Sequence, residues 1–415
     1  MRIDIKEKFG KQNEYLPPIF LFALVVFFWT LFDNTLTYVT PLLMEEHGFS
    51  IGIIGLIIGT SSISGALFDF LICKIFKSSD FRRVFLIMFA ICLFYPLILW
   101  QANTIWLFLF AMAVWGVYYD LSGFGIFNFI GRYTKKEDHA TSFGVVQIFR
   151  AMSGVLAPLL AGLVIAVAVD WRLFAMSWFF LGTGFVFFII LLFLMRKNYV
   201  ADKTSHHVER RKNFFLEIHL WRKLGKIMTP VLCVTFFLSF VDAFFWTLAP
   251  LYVEVMDFGK FGGLFLTAYI LPALFVGWIV GNLTRRFGKK RIALLGILIG
   301  STVLASFVHV SDPIIAILTV FVAACFIGVA SPAISAAYAD YISEAPQVDG
   351  EIEGVEDFSS NFGYVAGPIM AGVLAEFLGI PAAFSILGLI GVVLAGVLLA
   401  STPKSIRIRV NKKEL

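Results

Sequence analysis

Long apolar runs alternate with short polar stretches along almost the whole chain. The runs cover 17–43, 50–76, 84–102, 105–131, 141–168, 172–195, 228–254, 261–284, 291–309, 312–342, 355–378 and 381–402. Each reaches or approaches the ~20 residues a helix needs to cross the hydrocarbon core of a bilayer. Stretches such as LFALVVFF and IIGLIIG lack the two-residue alternation over ~10 residues that marks a transmembrane strand. The pattern predicts an all-α membrane protein with twelve transmembrane helices. Two runs carry a carboxylate at their centre: Asp33 in FFWTLFDNTLTYVTPLL and Asp242 in FFLSFVDAFFWTLAPLY, each with a proline eight residues later. A carboxylate at the bilayer centre costs on the order of 2.5–3.5 kcal/mol on insertion scales, so it persists where it faces a bundle interior or a wet cavity.

The recurrence of that arrangement implies a duplicated bundle with a site near its midplane. The longest polar stretch, 196–226, divides the chain into two pseudo-symmetric six-helix bundles, 17–195 and 227–402, with tails at 1–16 and 403–415. Within the stretch, FFLEIHLW is flanked by basic clusters, as expected of an interfacial segment on an anionic leaflet. His206, His207 and His219 lie in the same stretch and read as solvated loop residues.

Composition agrees with a membrane protein, since 59% of the 415 residues are hydrophobic and only 15% charged, a balance no soluble fold of this size keeps out of water. Of the 33 Lys and Arg, all but Arg150, Arg172 and Lys260 fall in the two tails, the central stretch and the loops after the second, fourth and eighth segments with the segment ends that border them. By the positive-inside rule both termini are expected in the cytoplasm of a multi-pass protein of the inner (plasma) membrane. The net charge of +5 is thus a topological signal, and no nucleic-acid role is expected. The first apolar run is too long for the core of a cleaved signal peptide and should remain as the first helix. Cys73, Cys92, Cys233 and Cys325 are scattered through apolar segments without metal spacing, so no disulfide, metal or other cofactor is expected.

The repeat extends beyond the aspartates. Pro158 and Gly162 of the fifth segment match Pro368 and Gly372 of the eleventh at the same spacing, small residues that let helix backbones approach closely. Between the eighth and ninth segments the chain reads Gly281-Asn-Leu-Thr-Arg285-Arg286-Phe-Gly288-Lys289-Lys290, and the first half holds a reduced copy, Gly65-Ala-Leu-Phe-Asp69. With the twelve segments and paired halves, these stretches resemble the major facilitator superfamily, whose G-x-L-a-D-R-x-G-R-K motif they approximate. The resemblance implies a cytoplasmic gating motif formed by Gly65, Asp69, Arg132, Gly281, Arg285, Arg286, Gly288 and Lys289. An acid ending the second helix can there pair with a cation such as Arg132 ending the fourth.

The resemblance also implies that segments 1, 4, 7 and 10 line a substrate cavity, and polar stripes at helical spacing lie on them. Thr30, Asp33, Thr37 and Thr40 share one face of the first segment, and Thr235, Ser239, Asp242 and Trp246 share one face of the seventh. The expected cavity residues are Asp120, Arg150, Thr37, Tyr38, Ser239, Trp246, Ser335 and Tyr338. At 1.5 Å per residue Asp120 and Arg150 lie at similar depth, ~15–18 Å from the cytoplasmic surface, within reach of an ion pair. No histidine lies near the midplane, so proton coupling must run through carboxylates, whose proton affinity follows solvation and nearby cations. Asp242 is the first candidate and Asp33 the second.

Two readings of function follow. One is a secondary active transporter that exports a small amphiphilic organic compound against protons, since the glycine and proline pattern of the fifth and eleventh segments is similar to the antiporter motif G-x-x-x-G-P-x-x-G-G and Trp29, Tyr38, Trp246 and Tyr269 offer aromatic contacts. The other is proton- or sodium-coupled import of a sugar or similar polar solute, since acids on helices 1 and 4 with an arginine on helix 5 are similar to sugar symporters of the superfamily. The expected partners are the lipid bilayer, a small-molecule substrate and a coupling cation, with the protein a monomer. No nucleophile and base pair or phosphate-binding loop points to an enzyme.

Overall fold

The computed structural model describes residues 16–75, 80–134, 138–165, 169–198, 214–344 and 348–401. The two tails and most of the central stretch, His206 and His207 included, lie outside these residues. Fourteen helices are described: α1 (Leu16–Glu46), α2 (Ile51–Ile75), α3 (Phe81–Gln101), α4 (Ile105–Tyr133), α5 (His139–Ile165), α6 (Trp171–Asn198), α7 (Phe214–Val255), α8 (Gly263–Ile270), α9 (Val276–Phe287), α10 (Lys289–Ala305), α11 (Pro313–Ile327), α12 (Ala330–Glu344), α13 (Asp349–Leu378) and α14 (Ile380–Ser401). Among the described residues there are eleven spans long and apolar enough to cross a membrane, and twelve when the bent pair α8 and α9 counts as one. No strand occurs among them, as the absence of water in a bilayer core requires of a chain without a closed barrel.

Three elements differ from the hydropathy pattern, each for a local reason. The eighth segment bends by 62° between Gly263–Leu274 and Ile279–Phe287, at a short 3₁₀ turn through Pro272, whose ring displaces a helical carbonyl and removes a donor. The tenth divides into α11 and α12 around Gly328. Asp312 starts α11, its carboxylate accepting from the Ile314 and Ile315 amides at 2.8 and 3.0 Å, with Pro313 in the first turn where a missing donor costs nothing. The seventh segment reaches back to Phe214, so the expected interfacial stretch FFLEIHLW is helical and continuous with the span.

The chain forms two compact units, with boundaries at Leu43, Ile63 and Val208. The first contains α1 to Leu43, α2 from Ser64 and α3–α6; the second contains residues 44–63 and everything from Glu209. The first unit is built around stacked Phe22 and Phe129, with ring centroids 3.8 Å apart, and Phe81, Phe85 and Phe188 edge-on or stacked around them. The second centres on Tyr252, Phe265, Phe307 and Phe384. In lipid such contacts hold helices together by packing, since the surrounding chains are as apolar as the side chains.

Glycine governs two close approaches in the second unit. A Cβ at Gly363 of α13 would lie 2.5 Å from the Phe236 carbonyl oxygen of α7 and 2.8 Å from the Ser239 Cβ, and one at Gly367 would lie 2.8 Å from the Phe240 carbonyl oxygen. The start of α2 is held by the same helix: Gly55 faces Gly372, and the Glu376 carboxylate accepts from Ser50 Oγ at 2.9 Å and the Gly52 amide at 2.6 Å. An anion there satisfies free amides of the first turn of α2 and meets the positive end of its dipole.

Candidate functional site

In the first unit Asp33 is 2% exposed. Trp115 Nε1 and Tyr118 Oη of α4, three residues apart on one face, both donate to its Oδ1 at 2.9 Å. Tyr95 of α3 lies edge-on to Tyr118, with ring centroids 5.0 Å apart, and Trp29, one turn before Asp33, donates to Cys92 Sγ at 3.4 Å. Trp115 stacks on Tyr119 at 5.2 Å, and Arg150 of α5 donates from Nη2 to Tyr119 Oη at 2.9 Å, its guanidinium 5.8 Å from the ring centroid. Asp33, Trp115, Tyr119 and Arg150 thus form a continuous chain of contacts across α1, α4 and α5. Asp120 points at α2, where a Cβ on Gly65 would come within 2.7 Å of its Oδ2. The threonines of the expected stripe are turned inward on their own helix: Thr30, Thr37 and Thr40 each donate to the carbonyl four residues back. Tyr38 is buried.

In the second unit Asp242 is half-buried. Tyr269 Oη of α8 donates to its Oδ1 at 3.2 Å and Tyr364 Oη of α13 to its Oδ2 at 3.1 Å. No cation bonds to it among the described residues. Tyr269 is held by stacking on Phe245 at 4.1 Å and 7°. Below Asp242 on α7, Ser239 shares a hydrogen bond of 2.8 Å with Ser360 of α13, and Thr235 one of 2.9 Å with Tyr338 of α12. Trp246 is half-buried on the same face of α7 and Ser335 is exposed on α12.

Both aspartates are therefore satisfied by neutral aromatic donors, yet the donors are not related by the repeat: Asp33 takes both from the fourth segment, Asp242 from the eighth and eleventh. Of these donors Tyr269 is among the aromatic residues expected near the cavity, and Trp115, Tyr118 and Tyr364 are not. Their only signal is a polar handle on an aromatic ring inside an apolar run, a group that needs a partner when buried.

Of the expected gating motif, the described residues include the second copy. Gly288 has φ 88°, a conformation open to glycine at little cost, and it turns the chain from α9 into α10. Lys289 then donates to Asp340 Oδ2 at 2.6 Å and to the Ala336 carbonyl at 3.0 Å, both on α12. Arg285 bonds within its own helix, to Gly281 O and Asn282 Oδ1, and Arg286 lies over the Phe287 ring. In the first unit the Asp69 side chain falls outside the described residues. There Asp80, absent from the sequence reading, organises the corresponding turn, accepting from Tyr133 at 2.9 Å beside Arg82 at 3.4 Å. Arg132 is half-buried one residue before Tyr133.

The family model described as Major Facilitator Superfamily matches residues 20–351. The chain belongs to the Major Facilitator Superfamily. No curated protein matches it in sequence. Among solved structures it is similar in fold to the nucleoside transporter NupG, with 14% identity, a TM-score of 0.74 and coverage of 92% of this chain and 98% of that one. It is likewise similar to a bacterial homologue of the human lysosomal transporter Spinster in its inward-facing, unoccupied form, with 14% identity, a TM-score of 0.70 and coverage of 92% and 96%. At such identity the likeness is one of fold. Family and fold together are those of a multi-pass membrane transporter, and the two aspartates sit on helices 1 and 7 of that superfamily fold.

Proposed function

We propose that the protein is a proton-coupled secondary active transporter that exports a small amphiphilic organic compound by alternating access. It would sit in the plasma membrane with both termini in the cytoplasm, work as a monomer in lipid and take up a proton at Asp242 or Asp33 for each transport step. The observation that carries this reading is the setting of Asp242: a carboxylate within a spanning helix, bonded among the described residues by two tyrosine hydroxyls and by no cation. Such a group can lose or gain a proton without breaking an ion pair, because a hydroxyl donates to either form of the carboxyl group. Binding energy that differs between the protonated and ionised forms is what shifts a two-state equilibrium.

The aromatic surfaces support an amphiphilic substrate. Trp115 and Tyr119 form a stacked pair capped by Arg150, suited to a planar ring carrying a hydrogen-bond acceptor. Import of a polar solute is the second reading, and the fold likeness to a nucleoside transporter favours it; a nucleoside presents both a ring and hydroxyls.

Thermal stabilisation of the purified protein by nucleosides, sugars and aromatic cations selects a ligand, since a ligand stabilises as ln(1 + [L]/Kd). Transport of that ligand is then followed in proteoliposomes with and without an imposed proton gradient. Asp242→Asn is expected to abolish uphill transport and spare downhill exchange, because the amide mimics the protonated acid. Accumulation against the gradient by Asp242→Asn would move the coupling role to Asp33, and indifference of the wild type to the proton gradient would reject proton coupling.

A further inference from the structure

Two helices of the second unit present matched polar columns to each other. On α7, Thr235, Ser239 and Asp242 succeed one another at intervals of four and three; on α13, Glu356, Ser360 and Tyr364 do so at intervals of four. Gly363 and Gly367 bring the two backbones into contact, and the columns are in register, Ser239 bonding Ser360 at 2.8 Å and Asp242 bonding Tyr364 at 3.1 Å. One turn further down, the same register sets Glu356 level with Thr235, whose hydroxyl shares a hydrogen bond of 2.9 Å with that of Tyr338. Glu356 is half-buried and makes no hydrogen bond or ion pair among the described residues.

We infer that Glu356 is the group through which Asp242 exchanges protons with the cytoplasmic side, along the hydroxyl ladder of Tyr364, Ser360, Ser239, Thr235 and Tyr338. The inference rests on the proton-coupled reading above and on the orientation given by the basic residues. Successive rungs are about one helical turn, ~5.4 Å, apart along the axis, a gap that one bridging water would close with hydrogen bonds at both ends. Each oxygen along the path accepts one proton and passes on the one it carried. One O–H bond therefore breaks at Asp242, one forms at Glu356, and the hydroxyls end unchanged. Glu353 and Asp357 flank Glu356 on its own helix, and from α12 the Tyr338 hydroxyl meets the same level of α7 through Thr235. None of these three carries a positive charge.

A caged-proton pH jump on reconstituted protein, followed by time-resolved infrared difference spectroscopy, tests the ladder without a substrate. The probe is the carboxylic C=O stretch of Asp242, identified by its loss in Asp242→Asn. Glu356→Gln and Ser360→Ala should each slow the appearance of that band at least about tenfold while leaving its final amplitude unchanged, the scale expected when a positioned proton-transfer group is removed. Ser359→Ala, beside the ladder and bonded instead to the Leu232 carbonyl, should leave the rate as in the wild type. Wild-type rates in both Glu356→Gln and Ser360→Ala would overturn the ladder. Slowing by Glu356→Gln alone would reject the serine route. If Glu356→Gln does not fold, Ser239→Ala takes its place beside Ser360→Ala and decides in the same way. A wild type in which no Asp242 band responds to the pH jump would instead overturn proton coupling at Asp242, and with it the ladder.

Discussion

Tyr364 and Asp242 lie 122 residues apart and their side chains meet at 3.1 Å, the phenol donating to Oδ2. That bond ties α13 to α7 at the level of the carboxylate, while Tyr269 ties α8 to the other oxygen. Tyr364→Phe keeps the ring and removes the donor. It should cost about 1–3 kcal/mol, as expected when a half-buried carboxylate loses a hydrogen-bond donor, read as a lower midpoint of thermal unfolding in detergent. Tyr269→Phe should cost a similar amount, because each tyrosine serves a different oxygen.

Asp33 behaves differently because Trp115 and Tyr118 share its Oδ1. Trp115→Phe or Tyr118→Phe alone leaves that oxygen one donor. The double variant leaves a carboxylate 2% exposed without either, so its loss should exceed the sum of the singles by about 0.5–3 kcal/mol, the range of coupling between groups in one network. Chemical or thermal unfolding of the four proteins measures it.

Arg150→Lys should impair function nearly as much as Arg150→Gln. The flat guanidinium both bonds Tyr119 Oη and lies over its ring, and an ammonium cannot do both from one position. The proposed ion pair of Arg150 with Asp120 is tested alongside: combining Asp120→Asn with Arg150→Gln should restore folding and expression but not transport if the arginine also meets substrate.

Gly363→Ala should be damaging, since its Cβ would meet the Phe236 carbonyl and Ser239 at 2.5 and 2.8 Å. Overpacking of this kind costs about 1–3 kcal/mol. Gly123→Ala on α4, with nothing within 4 Å of the new methyl, should be neutral or gain up to about 1 kcal/mol from helix propensity. Yield of folded protein and the unfolding midpoint distinguish the two.

Glu376→Ala should loosen the start of α2. The Gly52 amide and Ser50 hydroxyl lose the carboxylate that accepts from them, a capping loss of about 0.5–2 kcal/mol. Amide hydrogen exchange confined to residues 50–55 should rise several-fold, as a local opening of that size implies.

The spans were legible because a bilayer leaves a chain little choice: backbone groups must bond within the segment, so hydropathy and length identify a helix. Asp33 and Asp242 stood out for the same reason, being costly where they are. The bend of the eighth segment had its cause in Pro272, yet a proline can also lie inside an unbroken helix, as Pro41 and Pro250 do in α1 and α7. The extension of α7 back to Phe214 crossed a polar stretch that hydropathy reads as loop.

Hydropathy, the charge distribution and the repeat carried by the sequence alone determined the class of protein, the number of spans, the family resemblance and the two central carboxylates. Only the tertiary structure decided their partners. Trp115, Tyr118, Tyr269 and Tyr364 are four of many aromatic residues in apolar runs, and one of them meets a carboxylate only when helix rotation and packing distance place its polar atom within about 3 Å. Those are set by contacts such as Gly363 against Phe236, between residues distant in the chain. The pattern of each segment records that a face is buried, and leaves open which helix buries it.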